Sequence, residues 1–221
     1  MIVLGIESSC DETGVAIVKD GTTIVAQGLA SSMDIHAKYG GVVPEIAARS
    51  HIEAILPLID DVVTQFATNQ DIPPAKAWDA IDGIAVTYGA GLSGSLLVGV
   101  LTARTLAIVK QKPLYAINHV EAHVYANFLV QPQPTFPLLA LIVSGGHSQL
   151  VLFEDHFTYT LLGQALDDAI GEAFDKVAKI IGLPYPGGPN VARYAESGDP
   201  QAYNLPKAKV PGEYNFSFSG L

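Results

Sequence analysis

Met1-Ile2-Val3-Leu4-Gly5-Ile6-Glu7-Ser8-Ser9-Cys10-Asp11-Glu12-Thr13-Gly14-Val15-Ala16-Ile17-Val18 opens the chain. It reads as a strand over residues 2–6, a polar turn at Ser8-Ser9-Cys10-Asp11-Glu12, and a second strand over 13–18, with a third short strand over 23–28. The same order returns later: an apolar strand over 138–143, the turn Ser144-Gly145-Gly146-His147, a return strand over 149–153, a third over 158–162, and then a helix. Between the copies lies Gln131-Pro132-Gln133-Pro134-Thr135-Phe136-Pro137, the most linker-like stretch of the sequence. Two strand-turn-strand units flanking a linker predict a duplicated α/β fold with both domains facing one cleft. The predicted boundaries are 1–130 for the first domain, 131–137 for the linker and 138–221 for the second.

The intervening sequence fills in the first domain. Tyr39-Gly40-Gly41-Val42-Val43 is a glycine-rich loop leading to Pro44, a residue suited to the first position of a helix. Ile55, Ile59, Val62, Val63 and Phe66 then recur at helical spacing as a core-facing stripe. Pro57 is expected to kink or divide that helix, and 69–76 to form a proline-containing loop. A strand is predicted over 81–87. After Gly89-Ala90-Gly91-Leu92-Ser93-Gly94-Ser95 comes a helix running through Val109, so uniformly apolar that burial on most sides is expected. In the second half, a helix over 167–181 carries Asp167 and Asp168 at its start and is ended by Gly182 and Pro184. The final Phe216-Ser217-Phe218-Ser219-Gly220-Leu221 alternates aromatics with serines and suggests that the second domain is incomplete.

The totals set limits on function. With 22 acidic against 12 basic residues and a net charge of −10, the chain is poorly suited to bind nucleic acid unaided. Any RNA contact would have to come from a local basic patch or a partner. The single cysteine, Cys10, excludes an internal disulfide and suits a reducing compartment. No secretory leader is legible at the start. The most apolar helix, interrupted by Arg104, is expected to be too short to span a bilayer. A cytoplasmic protein with no membrane partner is predicted.

His119 and His123 carry the strongest chemical signal. They lie four residues apart where an apolar strand gives way to a helix, so both imidazoles can share one face and one ion. Neutral imidazole suits zinc, iron, copper and nickel alike. The alternative is two unrelated surface histidines. A zinc-protease reading fails on spacing. Such enzymes have Glu directly after the first histidine, whereas Glu121 sits midway and turns away from the metal face.

Ser144-Gly145-Gly146 can bring bare backbone amides to an anion, and Ser8-Ser9-Cys10-Asp11 could be its counterpart; each is also an ordinary hairpin turn. No Gly-x-x-x-x-Gly-Lys pattern is present, which excludes a P-loop enzyme. Asp11 and Glu12 can serve as base, ligand to metal-bound water or turn cap. Asp175 can reach a ribose hydroxyl or simply be solvated, and Gly187-Gly188 can bare the backbone to a ligand or merely stop a helix.

Six ordered motifs carry a resemblance: Leu4 to Gly14, Tyr39 to Glu45, His119-Val120-Glu121-Ala122-His123, Val143 to His147, Gly171-Glu172-Ala173-Phe174-Asp175-Lys176 and Tyr185-Pro186-Gly187-Gly188-Pro189. Together they resemble the bacterial tRNA N6-adenosine threonylcarbamoyltransferases, formerly described as O-sialoglycoprotein endopeptidases. The resemblance implies the two-domain fold of actin, sugar kinases and heat-shock chaperone ATPases. It implies one divalent metal, iron first and zinc second, held by His119, His123 and an aspartate from the second domain. It places an adenine nucleotide or threonylcarbamoyl-adenylate against Ile142, Val143, Ser144, Gly145 and Gly146, with Asp175 and Gly188 at the ribose and nucleoside. Glu12 becomes the candidate for substrate positioning or proton transfer. The implied partners are tRNA, a paralogous inactive subunit and a small ATPase. Two departures are evident: Gly89-Ala90-Gly91-Leu92 stands where the family has Gly-Pro-Gly-Leu, and family members continue well past Leu221. An inactive scaffold and a sugar-kinase-like phosphotransferase are the competing readings. The imidazole pair argues against both.

Overall fold

The structure, a computed structural model, describes residues 1–220; Leu221, the end of the predicted second domain, lies outside them. The chain divides into two compact units, Met1–Gln133 and Pro134–Leu221.

The first unit is built on a five-stranded sheet. Strands β1 (Ile2–Glu7), β2 (Glu12–Lys19) and β3 (Thr23–Ser31) form an antiparallel meander. Strands β4 (Gly83–Gly89) and β5 (Leu114–Asn118) run parallel to β1, giving the order β3-β2-β1-β4-β5. Alternation dictates which face is covered. Leu4 lies opposite Ile17 on one side and Ile84 on the other, while Ile6 lies opposite Val15 and Val86; all six are buried. Each such side chain contributes about 1.5–3 kcal/mol by leaving water.

Two helices cover this face. Helix α2 (Pro44–Asn69) opens on Pro44 and buries Ile55, Ile59, Val62, Val63 and Phe66, the predicted stripe. It follows a short helix α1 (Met33–Ala37). Of the two outcomes expected at Pro57, division is overturned: α2 runs unbroken from Pro44 to Asn69. Pro57 sits on the exposed side, as does Glu53, whose carbonyl loses its partner there, so water can satisfy the freed group. The expected loop over 69–76 is also corrected: α2 extends to Asn69, and a 3-10 turn, Pro74–Ala80, buries Ala77.

Helix α3 (Ser93–Lys110) departs most from expectation. Ser95, Gly99, Ala103 and Ala107, each four residues from the last, form its buried stripe. Leu97, Leu101, Ile108 and Val109 are 51–68 % exposed, so the helix is not buried on most sides. Close approach explains this: a Cβ on Gly99 would come within 2.3 Å of the Ser8 hydroxyl oxygen, so only small residues fit against the sheet. By length and composition α3 is long and apolar enough to cross a membrane, which corrects the expectation that it is too short. Here its packing is against β4, β1 and α2. Helix α4 (His119–Tyr125) follows β5 directly.

The second unit begins with the antiparallel meander β6 (Leu138–Val143), β7 (Ser148–Asp155) and β8 (Thr158–Gln164), repeating the opening pattern of the first. Helices α5 (Ile170–Ile180) and α6 (Gly187–Ala195) pack on each other. Helix α5 starts at Ile170 rather than Asp167, because the two acids are used elsewhere. Asp167 accepts hydrogen bonds from the Ser217 hydroxyl and the Phe218 amide, and Asp168 pairs with Lys176.

Replacing Gly99 with valine is expected to destabilise the chain by about 1–3 kcal/mol through overpacking against Ser8. Urea unfolding measures this directly, and an unchanged midpoint would contradict the close α3–β1 contact.

Candidate functional site

Strands β1, β4 and β5 end side by side at Glu7, Gly89 and Asn118, and the residues at these ends converge. Asn118 is the N-cap of α4; its side-chain oxygen accepts from the amides of Val120 at 2.9 Å and Glu121 at 3.3 Å. This cap fixes the start of α4, so His119 and His123 project from one face. Their Nε2 atoms lie 3.1 Å apart, with ring centroids 4.5 Å apart and planes at 78°.

The other nitrogen of His119 faces inward. Its Nδ1 lies 3.3 Å from Glu7 Oε2 and 3.2 Å from Ser9 Oγ. Glu7 also accepts hydrogen bonds from the Ser9 amide and the Thr87 hydroxyl. Burial pushes the Glu7 carboxyl up, but hydrogen bonds from His119, the Ser9 hydroxyl, Thr87 and the Ser9 amide together outweigh it and bring the pKa down to about 2. Glu7 is thus an anion at neutral pH, placed behind a candidate metal ligand. The two histidines and Glu7 line a cavity of ≈ 700 Å³ whose remaining wall is mostly apolar, with Val15, Leu29 and Leu129 among its residues.

These residues fit a metal ion in part. A tetrahedral ion with bonds of about 2.0–2.1 Å to nitrogen holds two ligand atoms about 3.3–3.4 Å apart, within a few tenths of the His119–His123 separation. Among the described residues there is no group of three or more His, Cys, Asp or Glu side chains able to complete such a site. The chain therefore offers two imidazoles as candidate ligands.

The turn joining β1 to β2 is braced from within. The Ser8 hydroxyl donates to the Ser95 carbonyl, the Ser95 hydroxyl donates to the Cys10 carbonyl, and the Leu92 amide donates to the Ser9 carbonyl. His51, fully inside α2, contacts Thr13 Oγ1 at 2.7 Å and the Cys10 carbonyl at 3.0 Å. Sequence reasoning assigned no role to Glu7, Thr87, His51 or Ser95. The only available signal was position: an acid at the C-terminal end of a parallel strand, where α/β sheets gather their sites. The Cys10 thiol is pushed up by burial, then by Asp11 and Glu7, so it stays protonated at neutral pH. Glu12 begins β2, half-buried and opposite Ser31, apart from the His119–Glu7 cluster of hydrogen bonds.

In the second unit the predicted residues fall in the β6–β7 hairpin, on α5 and at the start of α6. The Ser144 amide donates to the His147 carbonyl at 2.8 Å, and the His147 amide returns a bond to the Ser144 hydroxyl at 3.0 Å, closing the hairpin after Ile142 and Val143. Gly145 and Gly146 are exposed, with open space where a Cβ would stand. Gly171, one residue into α5, presses on this turn, its amide donating to the Ser144 carbonyl at 3.2 Å. One turn later Asp175 Oδ1 accepts the Gly187 amide at 2.6 Å and ties down the start of α6. Gly187 is packed against α5, whereas Gly188 has open space around it. Of the glycine pair, Gly188 alone leaves its backbone open to a ligand.

Glu7 ionises more readily in the folded chain than at its ordinary value of 4.5. It therefore contributes stability above that pH, lost as pH falls toward about 2. Its side chain is 38 % exposed, so solvent screening reduces the effect. Urea midpoints taken from about pH 5 down to about pH 2 are expected to fall more steeply for the wild type than for Glu7→Gln; parallel curves would contradict the depressed pKa.

A family model described as tRNA N6-adenosine threonylcarbamoyltransferase matches residues 23–221. A protein of that name from Thermomicrobium roseum is 52 % identical over 227 residues, an alignment covering 100 % of this chain and 60 % of the relative. Another from Symbiobacterium thermophilum is 52 % identical over 220 residues, covering 100 % and 62 %. Among solved structures, component A of the (R)-2-hydroxyglutaryl-CoA dehydratase of Acidaminococcus fermentans matches with a TM-score of 0.45 and 18 % identity, over 96 % of this chain and 62 % of that one. The chain thus spans about 60 % of the length of the curated relatives it matches. With six ordered motifs, a paired-imidazole site at the ends of the parallel strands and a match over most of its length, the chain belongs to the tRNA N6-adenosine threonylcarbamoyltransferase family.

Proposed function

We propose that this chain takes part in transferring the threonylcarbamoyl group from threonylcarbamoyl-adenylate to the exocyclic amine of the adenosine beside the anticodon, in tRNAs that read codons beginning with A. The observation that carries this reading is the convergence of His119 Nε2 and His123 Nε2 at 3.1 Å in a member of that family. The amine attacks the carbamoyl carbon, the bond to the phosphate oxygen breaks, adenylate leaves, and the amine proton passes to a base. Glu12 is our candidate for that base or for positioning the amine. The amine of adenine is a weak nucleophile, so holding it at the carbonyl supplies much of the acceleration.

A divalent ion, iron first and zinc second, would be held by His119 and His123 and would polarise the carbamoyl carbonyl or anchor the acyl-adenylate. The exposed backbone of Gly145 and Gly146, in the turn that Ser144 opens after Ile142 and Val143, would stabilise the departing phosphate. Asp175 and Gly188 are our candidates for the ribose and nucleoside contacts. Because Asp175 already accepts from Gly187, it acts there by shaping the start of α6 as much as by direct contact.

A net charge of −10 supports a division of labour in which much of the tRNA is held by other subunits. A paralogous inactive subunit and a small ATPase are the partners we assign, in the cytoplasm. The test is threonylcarbamoyl transfer by the full-length protein with its partners. His119→Ala is expected to lower the rate on the order of a hundredfold or more, and equal rates for mutant and wild type would refute the role of the pair.

A further inference from the structure

We propose that Glu7 is the positioning residue that sets His119 in the tautomer protonated on Nδ1, and so turns a bare Nε2 toward a cation shared with His123. This rests on the reading of the pair as metal ligands and concerns what stands behind them. The geometry is set by three separate elements. Glu7 ends β1; its Oε1 accepts the Ser9 amide from the following turn, and its Oε2 accepts the Thr87 hydroxyl from β4. His119 Nδ1, at the start of α4, lies 3.3 Å from that Oε2 and 3.2 Å from Ser9 Oγ.

The proton assignment follows from what each group can do. An ionised carboxylate only accepts, so the ring nitrogen facing it must donate. The Ser9 hydroxyl can either donate or accept and adapts to its neighbours. A neutral imidazole protonated on Nδ1 keeps its lone pair on Nε2. That atom is the one facing His123 Nε2 at 3.1 Å. The opposite tautomer would set the Nδ1 lone pair against the carboxylate and leave a proton where a metal would bind.

A glutamine at position 7 reverses this logic. It has one side-chain oxygen, and the Ser9 amide, which can only donate, claims it. The amide nitrogen then falls toward Thr87 and His119, obliging Nδ1 to accept and moving the ring proton to Nε2. Side-chain volume hardly changes, so the substitution tests proton placement more than packing.

The experiment uses the 221-residue chain, uniformly labelled with 15N and free of metal, at about pH 8.5, two units above the ordinary histidine value. Long-range 1H–15N correlation reads which His119 nitrogen carries the proton. The wild type should show Nδ1–H, Glu7→Gln should shift the ring toward Nε2–H, and Ser9→Ala should leave it unchanged. Zn2+ affinity, measured by competition with a chromophoric chelator, should weaken roughly 10–100-fold in Glu7→Gln. Nε2–H in the wild type overturns the proposal even if the variant fails to fold. Retention of both tautomer and affinity in Glu7→Gln overturns it as well. If the wild type binds Zn2+ no better than His123→Ala, the shared-ion reading fails, while the tautomer result still decides the role of Glu7.

Discussion

The carboxylate of Glu7 is the constraint on which the first unit's site depends. A half-buried anion at the end of a central strand is costly unless its lone pairs are filled, and here they are filled by groups from three elements. The Ser9 amide holds the β1–β2 turn, Thr87 holds β4, and His119 holds the start of α4. One side chain thereby registers the strand ends against the histidine pair. Around it the turn is bound to α3 through Ser8 and Ser95, and to α2 through His51. Bracing on this many sides fixes the two imidazoles in one arrangement, with their Nε2 atoms 3.1 Å apart.

The meanders, their turns and the core stripe of α2 were legible in the sequence, because period-two and helical spacing are local signals. The exposure of α3 was not read correctly. Its composition says that the helix is apolar, but not which neighbours cover it. The better clue was the recurrence of Ser95, Gly99, Ala103 and Ala107, small residues that let a helix sit directly on a sheet. Pro57 does not divide α2 for a related reason: a proline disturbs a helix least where the carbonyl it orphans faces water.

The histidine pair was legible in the sequence, but the network around it was not. His119 and His123 announced themselves by spacing alone. Glu7 and Thr87 did not, since Glu7 meets His119 across a separation of 112 residues and Thr87 across one of 80, and only the sheet order brings them together. In the second unit, Asp175 was read as reaching a ligand and is found holding the Gly187 amide, while the turn at Ser144 and the open backbone at Gly188 remain available. The structure thus separates residues that shape the surface from those that can present it.

The account stands on the claim that His119 and His123 grip a single cation. X-ray absorption at the zinc edge of the Zn2+-loaded protein tests it most directly. The account predicts two imidazole nitrogens in the first coordination shell at about 2.0–2.1 Å, falling to one in His123→Ala. A shell without imidazole, or one indifferent to loss of either ring, would contradict it.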